Sequence, residues 1–291
     1  MPEQLDQIFS PSSFQELFSI WNNFPHVSIL AGGLEQIRNQ GKHKPVFPEN
    51  IISLSRLEEL RKISRSERYL EIGAMVNLNQ ILHLGKIVPE PLVHCLELIG
   101  GPQLRNIATI GGNICYPLQR LDASGPMIAL DAQYELRTAQ SARWVPASMF
   151  SSLPGPPALT PRELLTRIRV PLEPWTYTWY RKFNTAGSGE AGGGILFMIR
   201  NEKNILTNIR VVYSGLSILR EKNSETMLEG KRLPLDKKDA VTFIEKWKTC
   251  LSAFKDNEKS IFSGAEGNSN PELVKAQIMN FIETAIMRIS D

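Results

Sequence analysis

The chain has 291 residues, of which 42% are hydrophobic and 22% charged, and its formal net charge at neutral pH is +3. These totals fit an ordinary soluble globular protein of one large or two smaller domains. Lysine and arginine are scattered rather than clustered, which argues against a nucleic-acid partner. No apolar run reaches the roughly 18 residues of a membrane span, and the polar N-terminus lacks the pattern of a signal peptide.

The three cysteines stand far apart, and none belongs to a C-x-x-C pair. This spacing argues against a local iron–sulfur or zinc motif. The four histidines show no metal-ligand spacing either, so we expect no metal site. Free cysteines without a disulfide pattern favour the reducing cytoplasm. These residues are Cys95, Cys115, Cys250, His26, His43, His83 and His94.

The N-terminal segment predicts short helices and strands in alternation. Ser13 and Glu16 have the spacing of a capping box, in which each side chain bonds the other residue's amide at a helix start. The following apolar residues continue at helical spacing. Short strands are predicted at 27–30 and 51–54, and a helix at 55–63.

The first of these strands runs directly into the glycine turn Ala31-Gly32-Gly33, which Leu34 and Glu35 follow. Glycine has no Cβ, so the backbone can come close to a ligand. A strand, a glycine turn and a helix start leave amides free beside a helix N-terminus, which favours phosphate groups. From these residues alone, a plain tight turn is an equal alternative.

A second polar turn is predicted at 101–114, after a strand at 69–74 and helices at 77–84 and 91–99. Its twin glycines, Gly111 and Gly112, stand between Thr109 and Asn113, whose side chains can form hydrogen bonds. Two such turns in one chain predict two loops that close on the same extended ligand, for example a pyrophosphate.

The rest of the chain predicts more strands and then long helices. Residues 171–174 contain two prolines, which interrupt regular structure, so we place a domain boundary there. The predicted strands are 134–137, 143–146, 164–170, 176–183, 193–199 and 209–215, and the predicted helices are 235–253 and 271–289. The fold class is therefore α+β, and the second domain is a small three-stranded sheet with helices.

The segment Gly-Gly-Pro-Gln-Leu-Arg-Asn-Ile-Ala-Thr-Ile-Gly-Gly-Asn-Ile at 100–114 resembles the flavin-binding signature of the FAD subunit of molybdenum hydroxylases. That family includes xanthine dehydrogenases, aldehyde oxidases and carbon monoxide dehydrogenases. The glycine turn at 31–33, the strand end at 72–74 and the strand start at 131–132 follow the family's order. The resemblance covers about residues 10–172.

The resemblance implies a two-lobed PCMH-type FAD-binding domain over 1–173, split near residue 60, and a C-terminal α+β domain over 174–291. It also implies a set of cofactor-binding residues and no catalytic side chain. Asp122 matches an acidic position that accepts from a ribityl or ribose hydroxyl, and Lys182 matches a basic residue near the flavin. The implied FAD-binding residues are Leu30, Ala31, Gly32, Gly33, Leu34, Glu35, Thr109, Ile110, Gly111, Gly112, Asn113, Asp122 and Lys182.

A third glycine-rich segment, 187–192, fits the spacing G-x-G-x-x-G. A dinucleotide-binding Rossmann motif needs a following helix and an acid about 20 residues on. An apolar run that predicts a strand follows here instead. We therefore favour a glycine loop between two strands, which could border the flavin ring or admit NAD.

By the same resemblance, the chain is the FAD-binding subunit of a multi-subunit molybdenum hydroxylase, most like xanthine dehydrogenase. Its partners would be a molybdopterin-binding subunit and a [2Fe-2S] subunit, and NAD would take the electrons. Two alternatives stay open, a stand-alone flavin oxidoreductase and a flavin-free scaffold subunit. The chain departs from the family pattern at Leu34-Glu35, Leu118-Gln119 and Ala186-Gly187, which is why the scaffold alternative remains.

Overall fold

The computed structural model describes residues 7–24, 26–34, 50–116, 122–151, 157–184, 191–215, 218–253 and 271–290. Three sheets with helices packed on them make up these residues, which confirms the predicted α+β class. The strands are β1 (Gln7–Phe9), β2 (Ser28–Leu30), β3 (Asn50–Ser53), β4 (Ile63–Arg65), β5 (Tyr69–Gly73), β6 (Gln133–Arg137), β7 (Ala142–Pro146), β8 (Leu164–Pro171), β9 (Tyr177–Asn184), β10 (Ala191–Glu202), β11 (Ile205–Ser214) and β12 (Ile218–Leu219). The helices are α1 (Phe14–Asn23), α2 (Leu78–Leu82), α3 (Glu90–Glu97), α4 (Pro102–Ile107), α5 (Ile110–Ile114), α6 (Ser124–Ala129), α7 (Ala147–Phe150), α8 (Lys222–Leu228), α9 (Lys237–Ala253) and α10 (Pro271–Arg288).

The N-terminal sheet has three parallel strands in the order β1-β3-β2, and helix α1 packs on it. The Ser13 hydroxyl accepts from the Glu16 amide at 3.2 Å, as the capping box requires. The second half of the box is different, because the Glu16 carboxylate accepts from the Ser12 amide at 2.8 Å. The helix start is thus capped from two serines rather than by one reciprocal pair.

The predicted helix at 55–63 is wrong. Two 3-10 turns, Leu54–Arg56 and Glu58–Arg61, lead into β4 instead. Leu57 breaks the helical path with ψ near 87°, and both it and Leu60 are fully buried. Burial of both leucines in the core under α1 overrides their helical spacing.

The second sheet is antiparallel, with the strand order β4-β5-β8-β6-β7. One face packs against α2, α3, α5, α6 and α7 and forms an apolar core. The other face carries a ladder of charged residues, in which Arg167 and Arg169 both bind Glu71 and Arg169 stacks on Trp144. A sheet with one apolar and one charged face follows from the period-two alternation of its strands.

The C-terminal sheet is antiparallel, with the strand order β12-β11-β10-β9. It contains the three predicted strands and adds β12, a two-residue strand. Helices α8, α9 and α10 pack on one face. The opposite face joins the core of the second sheet through Leu196, Met198 and Val212.

Two arginines fasten the C-terminal sheet to the helical layer. Arg210 binds the Asp131 carboxylate at 2.7 Å, and Arg220 lies 3.8 Å from the same side chain. Arg220 also pairs with the buried Glu225 at 2.9 Å. Asp131 holds a φ of 53°, a strained value that these contacts help to maintain.

Glu163, which precedes β8, is 5% exposed and accepts from four donors. Arg143 donates to it at 2.7 and 2.9 Å, and the Thr160 amide and hydroxyl donate at 2.9 and 3.0 Å. The hydrogen bonds from Arg143 are the largest cause of its lowered pKa. Its contribution to stability is therefore present above the unfolded pKa and is lost as the pH falls through the folded pKa.

We predict that Glu163→Gln lowers the free energy of unfolding by about 1–3 kcal/mol at pH 7, because a charged acceptor of four bonds is lost. The loss should shrink as the pH falls below about 4.5. Urea denaturation at several pH values measures both effects. Glu245→Gln, which removes an exposed pair with Lys248, is the control and should change little. A pH-independent loss for Glu163→Gln would contradict this account.

Candidate functional site

The two glycine turns are in direct contact. A Cβ on Gly32 would overlap the carbonyl of Ile107, at the end of α4. A Cβ on Gly112 would lie 3.6 Å from the Cβ of Ala31. The first turn therefore lies on the segment that carries the second, and only glycine fits at position 32. The two predicted loops therefore contact each other, and that they close on one extended ligand stays a prediction.

The first turn exposes a row of backbone donors. Gly33 has a φ of 73°, in the left-handed region that glycine adopts readily. Within the described part of the chain, the amides of Gly32, Gly33 and Leu34 donate no hydrogen bond. Unpaired amides on a turn bind anions well. Leu30 is the last residue of β2 and directly precedes the turn. Glu35 lies outside the described residues.

The sequence predicts a turn at 101–114, but the structure has two short helices there, α4 and α5. Gly111 and Gly112 lie inside α5 with ordinary helical backbone. A Cβ on Gly111 would lie 2.7 Å from the Ala74 carbonyl, and one on Gly112 would lie 2.8 Å from the Thr109 hydroxyl. These glycines are required by close packing rather than by a left-handed conformation.

The first three amides of α5 are already paired. Ile110 donates to Val76 and Gly111 to Ala74, and Gly112 donates to the Thr109 hydroxyl at 3.1 Å. Among the described residues, the amides at the start of α5 are therefore paired, whereas those of Gly32, Gly33 and Leu34 on the first turn are not. Thr109 is the N-cap of α5.

A chain of contacts connects the second turn to the two charged residues of the predicted site. Asn113 is 9% exposed, and its side-chain oxygen accepts from the Ala123 amide at 3.1 Å. This bond fixes the residue next to Asp122. The Asp122 carboxylate lies 2.9 Å from the Lys182 ammonium. Asp122 and Lys182, 60 positions apart in sequence, thus form a half-buried ion pair.

Three neighbours of this pair were not predicted from the sequence. The Leu98 carbonyl accepts from Lys182 at 3.3 Å. Tyr180 lies on the same face of β9 as Lys182, and its hydroxyl is buried over Gly194. Burial, with the charge of Asp122 nearby, raises the pKa of the Cys95 thiol and of the Tyr180 hydroxyl, so both are neutral. Alternation along the predicted strand at 176–183 puts Tyr180 on the same face as Lys182. The helix predicted at 91–99 is α3, but no local signal in the sequence indicates that it packs beside β9.

The site therefore has two chemical parts joined by packed backbone. The first is an amide-lined turn that suits a phosphate or pyrophosphate. The second is a cation whose charge a carboxylate partly balances, in a partly desolvated setting where it acts strongly on a nearby ligand. No group of three histidine, cysteine or acidic side chains that could hold a metal occurs among the residues placed in the structure.

Residues 4–173 match the family described as the FAD binding domain in molybdopterin dehydrogenase. Among curated proteins, the xanthine dehydrogenase FAD-binding subunit of Escherichia coli O157:H7 is 31% identical over 154 residues. That match covers 52% of this chain and 52% of the relative, so the chain spans about half the length of that protein. The carbon monoxide dehydrogenase medium chain of Hydrogenophaga pseudoflava is 29% identical over 208 residues, 70% of this chain and 72% of the relative.

Solved structures share the whole architecture. Carbon monoxide dehydrogenase from Hydrogenophaga pseudoflava superposes with a TM-score of 0.79 at 24% identity, over 97% of this chain and 96% of that chain. Quinoline 2-oxidoreductase from Pseudomonas putida 86 gives a TM-score of 0.78 at 19% identity, over 98% and 96%. At these identities the likeness establishes the fold. In the described segments, no helix is both long and apolar enough to cross a bilayer.

We predict that Asn113→Ala lowers the free energy of unfolding by about 1–3 kcal/mol, because the buried Ala123 amide loses its acceptor. Chemical denaturation measures this change. Asn79→Ala, which removes a hydrogen bond to Asn106 at an exposed position, is the matched control and should cost less. Equal losses for the two variants would mean that the Asn113 bond has no special role.

Proposed function

Because the chain belongs to the family of FAD-binding domains found in molybdopterin dehydrogenases, we propose that it is the FAD-binding, electron-transferring subunit of a molybdenum hydroxylase. The observation that carries this proposal is the contact between the two glycine turns. Among the described residues the amides of Gly32, Gly33 and Leu34 have no acceptor, and they lie in a row on the segment that the resemblance implies for FAD.

In this proposal the first turn holds the pyrophosphate. The amides of Gly32, Gly33 and Leu34 donate to its oxygens, and the lack of a side chain at Gly33 lets the phosphate approach. Helix α5 contacts the turn where Gly112 lies against Ala31, and this contact supports the turn. The resemblance implies further contacts with FAD at Leu30, Glu35, Thr109, Ile110, Gly111 and Asn113.

Asp122 and Lys182 would lie at the redox end of the cofactor. FAD, when bound, accepts and passes on the electrons. A lysine near the ring stabilises negative charge that develops on reduction, and Asp122 both orients this lysine and offsets part of its charge. No side chain of this chain needs to act as acid, base or nucleophile.

The chain would work as one part of an assembly in the cytoplasm. Relatives are named as an FAD-binding subunit and as medium chains, which supports partners that bind molybdopterin and [2Fe-2S] clusters. Electrons would reach FAD from those clusters and leave to NAD. We further propose that residues 1–173 form the FAD-binding domain in two lobes that divide near residue 60, and that residues 174–291 form the second domain.

We predict that Gly33→Val abolishes FAD retention while the chain stays folded, because a β-branched side chain at a left-handed position displaces the turn and fills the phosphate space. Flavin content and circular dichroism are measured together. Gly85→Val is the matched control, because Gly85 also has a positive φ, 62°, and a Cβ there would meet nothing within 4 Å. A Gly33→Val protein with full FAD would contradict the proposal.

We predict that Lys182→Ala lowers the reduction potential of the bound flavin by about 20–40 mV, equivalent to about 1–2 kcal/mol for a two-electron couple. Asp122 is then left without its partner. The double variant Lys182→Ala with Asp122→Ala should therefore recover part of the shift. Spectroscopic titration against a reference dye measures the potentials. An unchanged potential in the single variant would place Lys182 away from the flavin.

We predict that the FAD-loaded chain passes electrons from NADH to an artificial dye but does not hydroxylate xanthine, hypoxanthine or an aldehyde. Partner subunits should restore turnover from substrate to NAD. A colourless chain that does not take up added FAD would favour the scaffold alternative. Hydroxylation by the chain alone would overturn the subunit assignment in favour of a stand-alone enzyme.

A further inference from the structure

A groove of about 500 Å³ lies beside the candidate FAD site, between helices α3 and α10, and shares Leu98 and Tyr180 with the surroundings of Lys182. Its floor is β9, where four consecutive residues, 178–181, all line it. Successive side chains of a strand point to opposite faces. Four consecutive lining residues therefore mean that the groove follows the edge of β9 rather than either face of the sheet.

This edge is open among the strands that the structure describes. β9 ends the order β12-β11-β10-β9, and it pairs on its inner side with β10. In an antiparallel strand, alternate residues direct their amide and carbonyl away from the partner. Such unpaired groups at an edge are a template for another strand. The Thr178 side chain in the groove wall is 8% exposed, and its hydroxyl has no partner among the described residues.

The groove has two walls of different chemistry. Trp179 and Arg181 face the α10 side, where the Arg288 guanidinium lies 5.7 Å from the centre of the Trp179 ring. Within the described part of the chain, neither arginine forms an ion pair. Tyr180 faces the α3 side with Leu98, which is apolar and 48% exposed. The carboxylate of Glu97 is the one acid among the lining residues.

We propose that this groove binds an extended acidic segment of another polypeptide, which adds to the edge of β9 as a further strand. Side chains on one face of the added strand would meet Arg181 and Arg288, and those on the other would meet Leu98 and Tyr180. The segment should therefore alternate acidic and apolar residues over about four positions, since each residue of a strand spans about 3.3 Å. The proposal is independent of the FAD assignment.

Fluorescence anisotropy of the full chain with a labelled hexapeptide of alternating valine and glutamate tests the proposal. Saturable binding is expected. Arg181→Glu and Arg288→Glu should each weaken it about tenfold, because each reverses a charge that contacts a carboxylate. Arg65→Glu is the matched control, because Arg65 is exposed on the outer strand β4 of a different sheet. It should leave binding unchanged, and a valine–lysine peptide should not bind.

Backbone pairing is tested separately. Bound peptide should slow hydrogen exchange of amides in 177–184, and methylation of alternate peptide nitrogens should abolish binding. Equal binding of the methylated peptide, or displacement by ATP, would make the groove a site for small anions and overturn the proposal. Concentration-dependent protection of 177–184 without peptide would assign the edge to a second copy of the chain and also overturn it. Absence of peptide binding would overturn it as well.

Discussion

The site depends on one backbone-to-backbone contact, that of Gly32 on the Ile107 carbonyl. No side chain fits between the two segments, so the turn after β2 lies directly on the end of α4. That contact brings the N-terminal parallel sheet against the helical layer of the second sheet. Among the described residues, the amides of this turn have no acceptor. The proposed phosphate site thus depends on this close approach as well as on the left-handed backbone of Gly33.

Helix α5 transmits this constraint to the rest of the site. Its first amides donate to Val76 and Ala74, and it is packed so closely on Ala74 that no Cβ fits at Gly111. Asn113 then fixes the Ala123 amide, and Asp122 pairs with Lys182 of the C-terminal sheet. The candidate site thus draws on all three sheets. Helix α5 thus supports the glycine turn at 31–33 in a single position.

Much of this arrangement could be predicted from the sequence, because its signals are local. The sequence predicts β6 to β11 within a few residues of their observed bounds. The twin glycines indicate both segments that meet at the candidate site. The helix at 55–63 was wrong because Leu57 and Leu60 are buried by tertiary packing that spacing alone does not reveal. The region at 101–114 reads as a turn because glycines are poor helix formers, yet α5 forms since Thr109 caps it and Ala74 contacts it. The Asp122–Lys182 pair has no local signal, and only the family pattern pointed to its members.

Leu196, Met198 and Val212 belong to the core of the second sheet. The extent of this buried core therefore differs from the extent of the matched family domain. The family match ends at residue 173, but the buried apolar surface continues into β10 and β11. A fragment cut at that boundary would expose one face of its own interior to water and lose the lysine that pairs with Asp122. The matched family domain therefore does not contain all of the core that it buries, because β10 and β11 supply one side of that core.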